Sequence, residues 1–229
     1  MKIIQGQGVS KGIEQGTIYF YHRAAAQVEM RTGADEQEER ARLERAKERT
    51  AQQLSDMAEK AREEAGDEAA VLFETHALFL EDEDYTGAMD ELLAQGFNAE
   101  YAVDQAGQEF AAMLASMDDP YMQARAADIK DVTGRILNNL MGVVEGGIDS
   151  DVPVILAADD LAPSETIQLD KKKILAIATQ KGSGNSHTAI LARTMGIPAV
   201  CGLGEDFNED FHGKQAYIVG ETGQLILEP

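Results

Sequence analysis

The sequence predicts a mixed α/β protein in which a bundle of helices interrupts an α/β domain. Short β-branched and aromatic runs separated by glycines occupy residues 1–21, alanine-rich amphipathic stretches fill the middle, and strand and helix patterns alternate from Asp151 onward. Because the last part resumes the α/β character of the first, we predict one discontinuous α/β domain, residues 1–22 with 145–229, and an inserted all-α subdomain over 33–143.

Composition favours a folded protein with an acidic surface. The 229 residues are 44% hydrophobic and carry a net charge of −21, which allows a sizeable core and argues against a nucleic-acid surface. The charge suits a basic protein partner, although solubility alone would also explain it. The single cysteine, Cys201, excludes an internal disulfide and lies in a strand-like segment that predicts a buried thiol. The sequence shows neither a signal-peptide pattern nor an apolar run near the ~20 residues of a membrane span, so we expect a cytoplasmic protein without membrane insertion.

The first half of the chain predicts two short strands around a glycine-rich turn, followed by five helices. Beyond the strands, apolar residues recur every three or four positions, as expected of amphipathic helices. Capping and turn residues divide this stretch into helices from about Asp35 to Gly66, from near Asp67, over Asp84–Leu93, from the cap Asn98, and from Asp119-Pro120 to Gly142. The second helix is apolar almost all round, so Leu78 or Phe79 is expected at the surface as part of a contact patch.

The second half predicts alternating strands and helices. Strands are expected at 152–157, 174–179, 198–202, 216–220 and 224–228, the last two as a hairpin about Glu221-Thr222-Gly223. A short helix opens at Pro163-Ser164-Glu165-Thr166, and another follows a glycine-rich turn that begins at Gly182.

That glycine-rich turn carries the most informative histidine of the chain. Asn185 or Ser186 is placed to cap the helix that follows, and Gly196 suits its C-terminal end. His187 therefore falls in the first turn, where unpaired N–H groups and the helix dipole disfavour a cationic imidazolium and favour an anion. Spacing alone favours the plainer interpretation, a histidine that is packed or solvated in a capping turn.

The same stretch resembles the phosphohistidine motif of the PEP-utilising enzymes, Gly-Gly-x-Thr-Ser-His-Thr/Ala-x-Ile-x-Ala-Arg. That family includes enzyme I of the bacterial phosphotransferase system, pyruvate phosphate dikinase and PEP synthase. The matching residues are Gly182, Ser186, His187, Ile190, Ala192 and Arg193. Ser183, Gly184 and Asn185 depart from the usual Gly-Arg-Thr of enzyme I, and Gly184 lacks one possible phosphate contact. The resemblance implies that His187 carries a phosphoryl group, with Gly182, Ser183, Gly184, Asn185 and Ser186 as its phosphate loop.

The resemblance extends over essentially the whole chain in the order of the N-terminal half of enzyme I. Residues 73–83 and 125–132 look like its helical subdomain, and residues 157–166 are similar to the segment that positions the active histidine. It therefore implies a swivelling-type phosphohistidine domain with Thr166 contacting the imidazole, although a helix hydroxyl that bonds its own backbone is an equal alternative for Thr166. Arg193 is either a phosphate ligand or an ion-pair partner, and we favour the ion pair.

The resemblance also implies the partners. The helical insert of enzyme I binds the small carrier HPr, and the positions implied here are His76, Leu78, Phe79, Leu114, Tyr121, Met122 and Arg125. A separate C-terminal barrel holds PEP and magnesium and dimerises the protein. That barrel is not in this sequence, so we expect a monomeric phosphotransferase half with no cofactor or metal site of its own.

Two other functions stay open at this point. The chain could be the swivelling domain of a dikinase-like or synthase-like enzyme, although those enzymes lack the helical insert. It could also be a non-catalytic carrier-binding module that keeps the fold, an idea supported by the departures at Gly184 and Asn185.

Overall fold

The protein is mixed α/β, which confirms the predicted class. The computed structural model describes residues 2–22, 27–143, 148–184 and 186–227. The chain divides into two compact units, residues 1–23 with 146–229 and residues 24–145.

The elements follow the predicted order, with one strand more than expected near the start. In chain order they are β1 (Lys2–Gln5), β2 (Gln7–Ser10), β3 (Ile13–Phe20), α1 (Glu36–Ala65), α2 (Asp67–Phe79), α3 (Glu83–Ala94), α4 (Ala99–Ser116), α5 (Pro120–Met141), β4 (Val154–Ala158), α6 (Pro163–Gln168), β5 (Ile174–Thr179), α7 (His187–Met195), β6 (Ala199–Cys201), β7 (Gln215–Val219) and β8 (Gln224–Leu227). Single 3-10 turns occur at Lys171–Lys173 and Glu209–Phe211.

All eight strands belong to one sheet in the order β1-β8-β7-β3-β4-β5-β6-β2. Strands β3 to β6 are parallel to one another, and the remaining pairs are antiparallel. The parallel strands β4 and β5 are nearly continuous apolar runs because both of their faces are covered. The carboxyl ends of the four parallel strands therefore meet along one edge, where ligand and catalytic loops of open α/β sheets lie.

The prediction of two strands in residues 1–21 is wrong, because the first of them is split at Gly6. β1 pairs with β8 and β2 pairs with β6, at opposite edges of the sheet. Gly6 permits this change of edge, since a Cβ there would lie 2.6 Å from the carbonyl oxygen of Cys201. A local sequence pattern cannot predict that β2 pairs with β6, a strand almost two hundred residues away.

Apolar side chains cover both faces of the parallel strands. One face buries Ile18, Ile155 and Val200 together with Phe207 and Phe211 from the segment before β7. The other face buries Leu156, Ile177 and Ala199 against Ala189 and Ala192 of α7. Ile190 is 44% exposed, because α7 buries the side of the helix that carries Thr188, Ala189, Leu191 and Ala192.

Helices α1 to α5 form the second unit, with a core of alanine, leucine and aromatic side chains. α1 packs along α2 and α5, and α4 packs along α3 and α5. Asp35 and Asp119 cap α1 and α5 by accepting from the backbone N–H groups of Glu38 and Tyr121, respectively. The predicted start at Asp119-Pro120 is confirmed, with Pro120 in the first turn.

Asn98 stands at the predicted start of α4, but its side chain does not cap that helix. Instead it accepts from Arg31 N–H at 2.8 Å and donates to the Glu29 carbonyl at 3.2 Å, which ties the segment before α1 to the start of α4. The α4 cap comes from Glu39 of α1, whose Oε2 accepts from Ala99 N–H at 2.7 Å. The carboxylate of Glu39 thus caps α4 in place of the side-chain amide of Asn98.

Buried Glu100 completes this network. It accepts from Asn98 Nδ2 at 2.8 Å and from the guanidinium of Arg42, which also holds Glu39. Burial opposes the ionisation of Glu100, but the hydrogen bonds from Arg42 and Asn98 outweigh it, and the pKa of the carboxyl lies below its usual value.

Replacing Glu100 with Gln should lower the free energy of unfolding by about 1–3 kcal/mol at pH 7, because charge-assisted bonds to Arg42 are lost. A depressed carboxyl pKa stabilises the fold above the unfolded value of ~4.3, and this contribution disappears as pH falls through the lower folded value. Urea unfolding of Glu100→Gln and the parent from pH 7 towards pH 3 should therefore show a shrinking difference. The control Glu44→Gln removes an exposed pair with Lys47 and should cost less than about 1 kcal/mol. A Glu100→Gln deficit that persists unchanged at pH 3 would contradict this assignment.

Candidate functional site

The loop between β5 and α7 lies at the carboxyl edge of the parallel strands. Gln180 N–H donates to the Ala158 carbonyl at 3.0 Å, and Lys181 N–H donates to the Asp159 carbonyl at 2.9 Å, both at the end of β4. The Lys181 carbonyl accepts from Gly202 N–H at 3.2 Å, just beyond β6. The loop is thus held at both neighbouring strand ends before it turns into α7.

Gly182 makes the turn. Its φ of +96° lies in the left-handed region, where glycine is favoured. The position is also close to buried groups, since a Cβ would lie 3.5 Å from Cys201 Cβ and 3.6 Å from Ser186 Oγ. Cys201 is fully buried, and burial raises the pKa of its thiol, as expected of a packed strand residue rather than a nucleophile.

His187 is the first residue of α7, as the capping pattern predicts. Ser186 caps the helix by accepting from Ala189 N–H at 3.3 Å, and Gly196 ends it with a φ of +69°. The His187 side chain is half-buried. It therefore stands at the positive end of the α7 dipole, at the carboxyl ends of the parallel strands.

Two threonines hold the neighbouring helices. Thr188 donates to the Leu161 carbonyl at 3.0 Å and thereby fixes the first turn of α7 against the segment that precedes α6. Thr166 is fully buried, and its hydroxyl donates to the Ala162 carbonyl at 3.0 Å within α6. The structure thus shows the backbone-bonding role for Thr166.

The remaining members of the predicted phosphate loop are exposed or half-buried. Ser183 is exposed and its carbonyl accepts from Ser186 N–H at 3.0 Å. Gly184 is half-buried, and Asn185 lies outside the described residues.

Arg193 differs from its prediction. Its guanidinium donates to the carbonyls of Gly184 at 2.8 Å and Val9 at 3.2 Å, and no ion pair of Arg193 is found within the described ranges. The side chain reaches backbone oxygens because α7 runs alongside β2. Sequence reasoning also missed Gln7, whose Oε1 accepts from Gly184 N–H at 3.0 Å. A lone glutamine in a four-residue strand carries no motif that would have identified it.

In the helical unit, part of the predicted contact set forms a surface on α2 and α5. Leu78 is 66% exposed and Tyr121 is 63% exposed. Arg125 joins α5 to α2: its guanidinium lies 4.6 Å from the Tyr121 ring centroid and 5.9 Å from that of Phe79, and it hydrogen-bonds the Tyr121 hydroxyl. Met122, the residue after Tyr121, is half-buried. We call Leu78, Phe79, Tyr121, Met122 and Arg125 the α2–α5 patch.

Three predicted contact residues are largely or fully buried. His76 is 0% exposed, Leu114 is 3% exposed and Phe79 is 9% exposed. Their burial follows from packing on two sides, since α2 lies against both α1 and α5, and α4 lies against both α3 and α5. His76 Nε2 is 3.4 Å from Asp128 Oδ1, and the His76 ring centroid is 6.4 Å from that of Phe79. His76 therefore packs beneath the surface, and Leu78 is the exposed apolar residue at the end of α2.

In the part of the chain that the structure describes, no group of three or more His, Cys, Asp or Glu side chains is arranged to hold a metal ion. No helix within the same residues is both long and apolar enough to cross a bilayer.

Comparison with known proteins agrees with this geometry. Residues 5–125 match the family model described as PEP-utilising enzyme, N-terminal, and residues 151–223 match PEP-utilising enzyme, mobile domain. The chain is 37% identical to the phosphoenolpyruvate-protein phosphotransferase of Priestia megaterium and 36% identical to that of Geobacillus stearothermophilus. Each alignment covers 100% of this chain but only 40% of the relative.

Solved structures give the same result along the full chain. An NMR solution structure of Enzyme I (nEIt) superimposes with a TM-score of 0.77 at 32% identity, covering 99% of this chain and 93% of that one. A structure described as the N-terminal domain of Enzyme 1 – Nitrogen gives a TM-score of 0.67 at 25% identity, covering 99% and 94%.

Proposed function

Because this chain belongs to the PEP-utilising enzyme family, we propose that it is a phosphocarrier unit that accepts a phosphoryl group on His187 and exchanges it with a histidine of an HPr-like carrier. The observation that carries this proposal is His187 at the capped N-terminus of α7, on the carboxyl edge of the parallel strands. The direct test is transfer of phosphate from phosphorylated HPr to the purified chain, detected by intact mass.

The chemistry follows from the position of the imidazole. A neutral ring presents the lone pair of Nε2 to the phosphorus of the carrier's phosphohistidine, in line with the bond that breaks. A new N–P bond forms on His187 as the carrier nitrogen leaves with its electron pair, and the reverse step returns the group. The α7 dipole stabilises the negative charge that arrives. Thr166 is proposed to orient the imidazole through its hydroxyl when the ring approaches α6.

Other assignments rest on the same relationship. We infer that the sheet unit is the swivelling-type phosphohistidine domain and that helices α1 to α5 form the inserted HPr-binding subdomain. PEP, magnesium and dimerisation are assigned to a separate C-terminal barrel, so this chain alone acts as a monomer. A dikinase or synthase swivelling domain is not favoured, because the alignment with the phosphoenolpyruvate-protein phosphotransferase of Priestia megaterium covers 100% of this chain, helices included.

The carrier surface is proposed to be the α2–α5 patch. Exposed Leu78 and Tyr121 provide an apolar centre, and exposed acids at Glu74, Glu81, Glu83 and Asp84 surround the end of α2. An apolar centre with a charged rim is typical of transient protein contacts. The acidic rim suits a small basic partner. It affects the association rate constant more than the dissociation rate constant.

Leu78→Ala should weaken HPr binding by about 1–2 kcal/mol, roughly five- to thirtyfold in Kd, because an exposed apolar anchor is lost. Its melting temperature should stay near that of the parent, since Leu78 is 66% exposed. Isothermal titration with HPr, run beside thermal melts, measures both. Ile13→Ala is the matched control, because Ile13 is 64% exposed in the other unit.

Phe79→Ala changes a residue that belongs both to the α2–α5 patch and to the packed interior. Phe79 is 9% exposed, so its truncation should lower both the melting temperature and the affinity for HPr. Equal affinities of Leu78→Ala and Ile13→Ala for HPr would remove the α2–α5 patch from the carrier interface.

A further inference from the structure

Both backbone groups of Gly184, three residues before His187, are held by side chains from other elements. Its N–H donates to Oε1 of Gln7 on β2 at 3.0 Å. Its carbonyl accepts from Nη1 of Arg193 on α7 at 2.8 Å. Two hydrogen bonds, one from β2 and one from α7, therefore hold the backbone of the loop at Gly184.

The two gripping side chains are connected to each other through β2. Arg193 Nη1 also donates to the Val9 carbonyl at 3.2 Å, and Val9 lies two residues after Gln7. Arg193 thus bridges the loop and the strand that carries Gln7. Hydrogen bonds therefore connect the loop to α7, α7 to β2, and β2 back to the loop.

β2 is itself a fixed support. Gln7 pairs with Cys201 in β6, and the backbone of β2 lies directly on the β7–β8 turn. A Cβ at Gly8 would fall 2.0 Å from the Gly220 carbonyl oxygen, so the contact exists only between glycine backbones. This close packing restricts movement of β2. The Gln7 side chain therefore offers Gly184 a hydrogen-bond acceptor in a fixed position.

We propose that Gln7 and Arg193 are positioning residues that clamp Gly184 and thereby fix the approach of His187 to its phosphoryl donor. The proposal rests on the proposed phosphotransfer function. Gln7 carries no charge, so its contribution is geometric. Transfer depends on in-line placement of the nucleophile, and a displacement of about 1 Å can reduce such rates by up to about a hundredfold.

Glycine at position 184 is part of the clamp. A Cβ there would lie 3.0 Å from Gln7 Nε2, so any larger residue must push the glutamine amide aside. Gly184 does not have a positive φ, so alanine is tolerated by its backbone. Gly184→Ala therefore disturbs the clamp from the loop side, as Gln7→Ala removes it from the strand side.

The test compares Gln7→Ala, Gly184→Ala and the double variant in the full chain. Gln5→Ala is the control, because the Gln5 side-chain amide also bonds the backbone, with Nε2 donating to the Thr222 carbonyl at 2.8 Å, away from Gly184. Hydrogen exchange of the Gly184 amide, followed by NMR, should accelerate about three- to tenfold in Gln7→Ala and stay unchanged in Gln5→Ala. The transfer rate constant from phosphorylated HPr should fall about tenfold or more in Gln7→Ala at saturating carrier, with an unchanged KM.

The double variant should be no slower than the slower single variant, because both changes break one contact. Unaltered Gly184 exchange in Gln7→Ala, or a transfer rate equal to that of Gln5→Ala, would overturn the clamp. If the parent chain takes no phosphoryl group at all, the proposed function fails. The Gly184 exchange rate still decides whether the clamp exists, since it does not depend on transfer.

Discussion

The His187→Ala variant should fold like the parent chain and take up no acid-labile, base-stable phosphate from phosphorylated HPr. His187 is half-buried at the first turn of a helix whose cap is Ser186, so alanine removes the nucleophile without disturbing the cap or the sheet contacts of α7. The expected loss is complete, because residues 180–187 contain no second histidine.

Phosphorylation of His187→Ala is measured by intact mass and by the acid and base stability of the label, beside a thermal melt. His22→Ala is the matched control, since His22 is exposed in the same unit and pairs with Glu209 at 3.3 Å. The control should label like the parent. Full labelling of His187→Ala would show that another residue carries the group.

The second large effect concerns the phosphoryl donor: this chain should react with phosphorylated HPr but not with PEP and magnesium. Magnesium-bound PEP needs a cluster of oxygen ligands. The chain spans only 40% of the phosphotransferases it matches, and we propose that the PEP site lies in the remainder.

The donor preference is tested by incubating the purified chain with PEP and magnesium, and in parallel with phosphorylated HPr. A trace of a full-length phosphotransferase added with HPr to the PEP sample should restore labelling, which proves that the chain and the PEP are both competent. Labelling of the chain by PEP alone would refute the assignment of PEP chemistry to another part of the protein.

Local signals predicted the secondary-structure elements around the candidate site well. The bounds of α7 follow from Ser186 and Gly196, because caps act on their own helix end and need no distant partner. β5 was predicted residue for residue as 174–179, since a short apolar run with turn signals on both sides is typical of a buried parallel strand.

What the sequence could not predict depends on distant partners. Asn98 was expected to cap α4, yet its amide binds the segment at Arg31 and leaves the cap to Glu39. Gln7 accepts a hydrogen bond from Gly184 N–H, 177 residues away in the sequence, and no local sequence pattern predicts that contact. Phe79 and Leu78 could not be told apart, because which side of α2 is covered depends on the positions of α1 and α5.

The most direct measurement of the central claim is the intact mass of the parent chain after incubation with phosphorylated HPr. We predict that the chain gains the mass of one phosphoryl group, that peptide mapping places it on His187, and that excess unphosphorylated HPr removes it again. A parent chain that stays unmodified while the phosphorylated HPr remains intact would contradict the assignment of phosphotransfer to this protein.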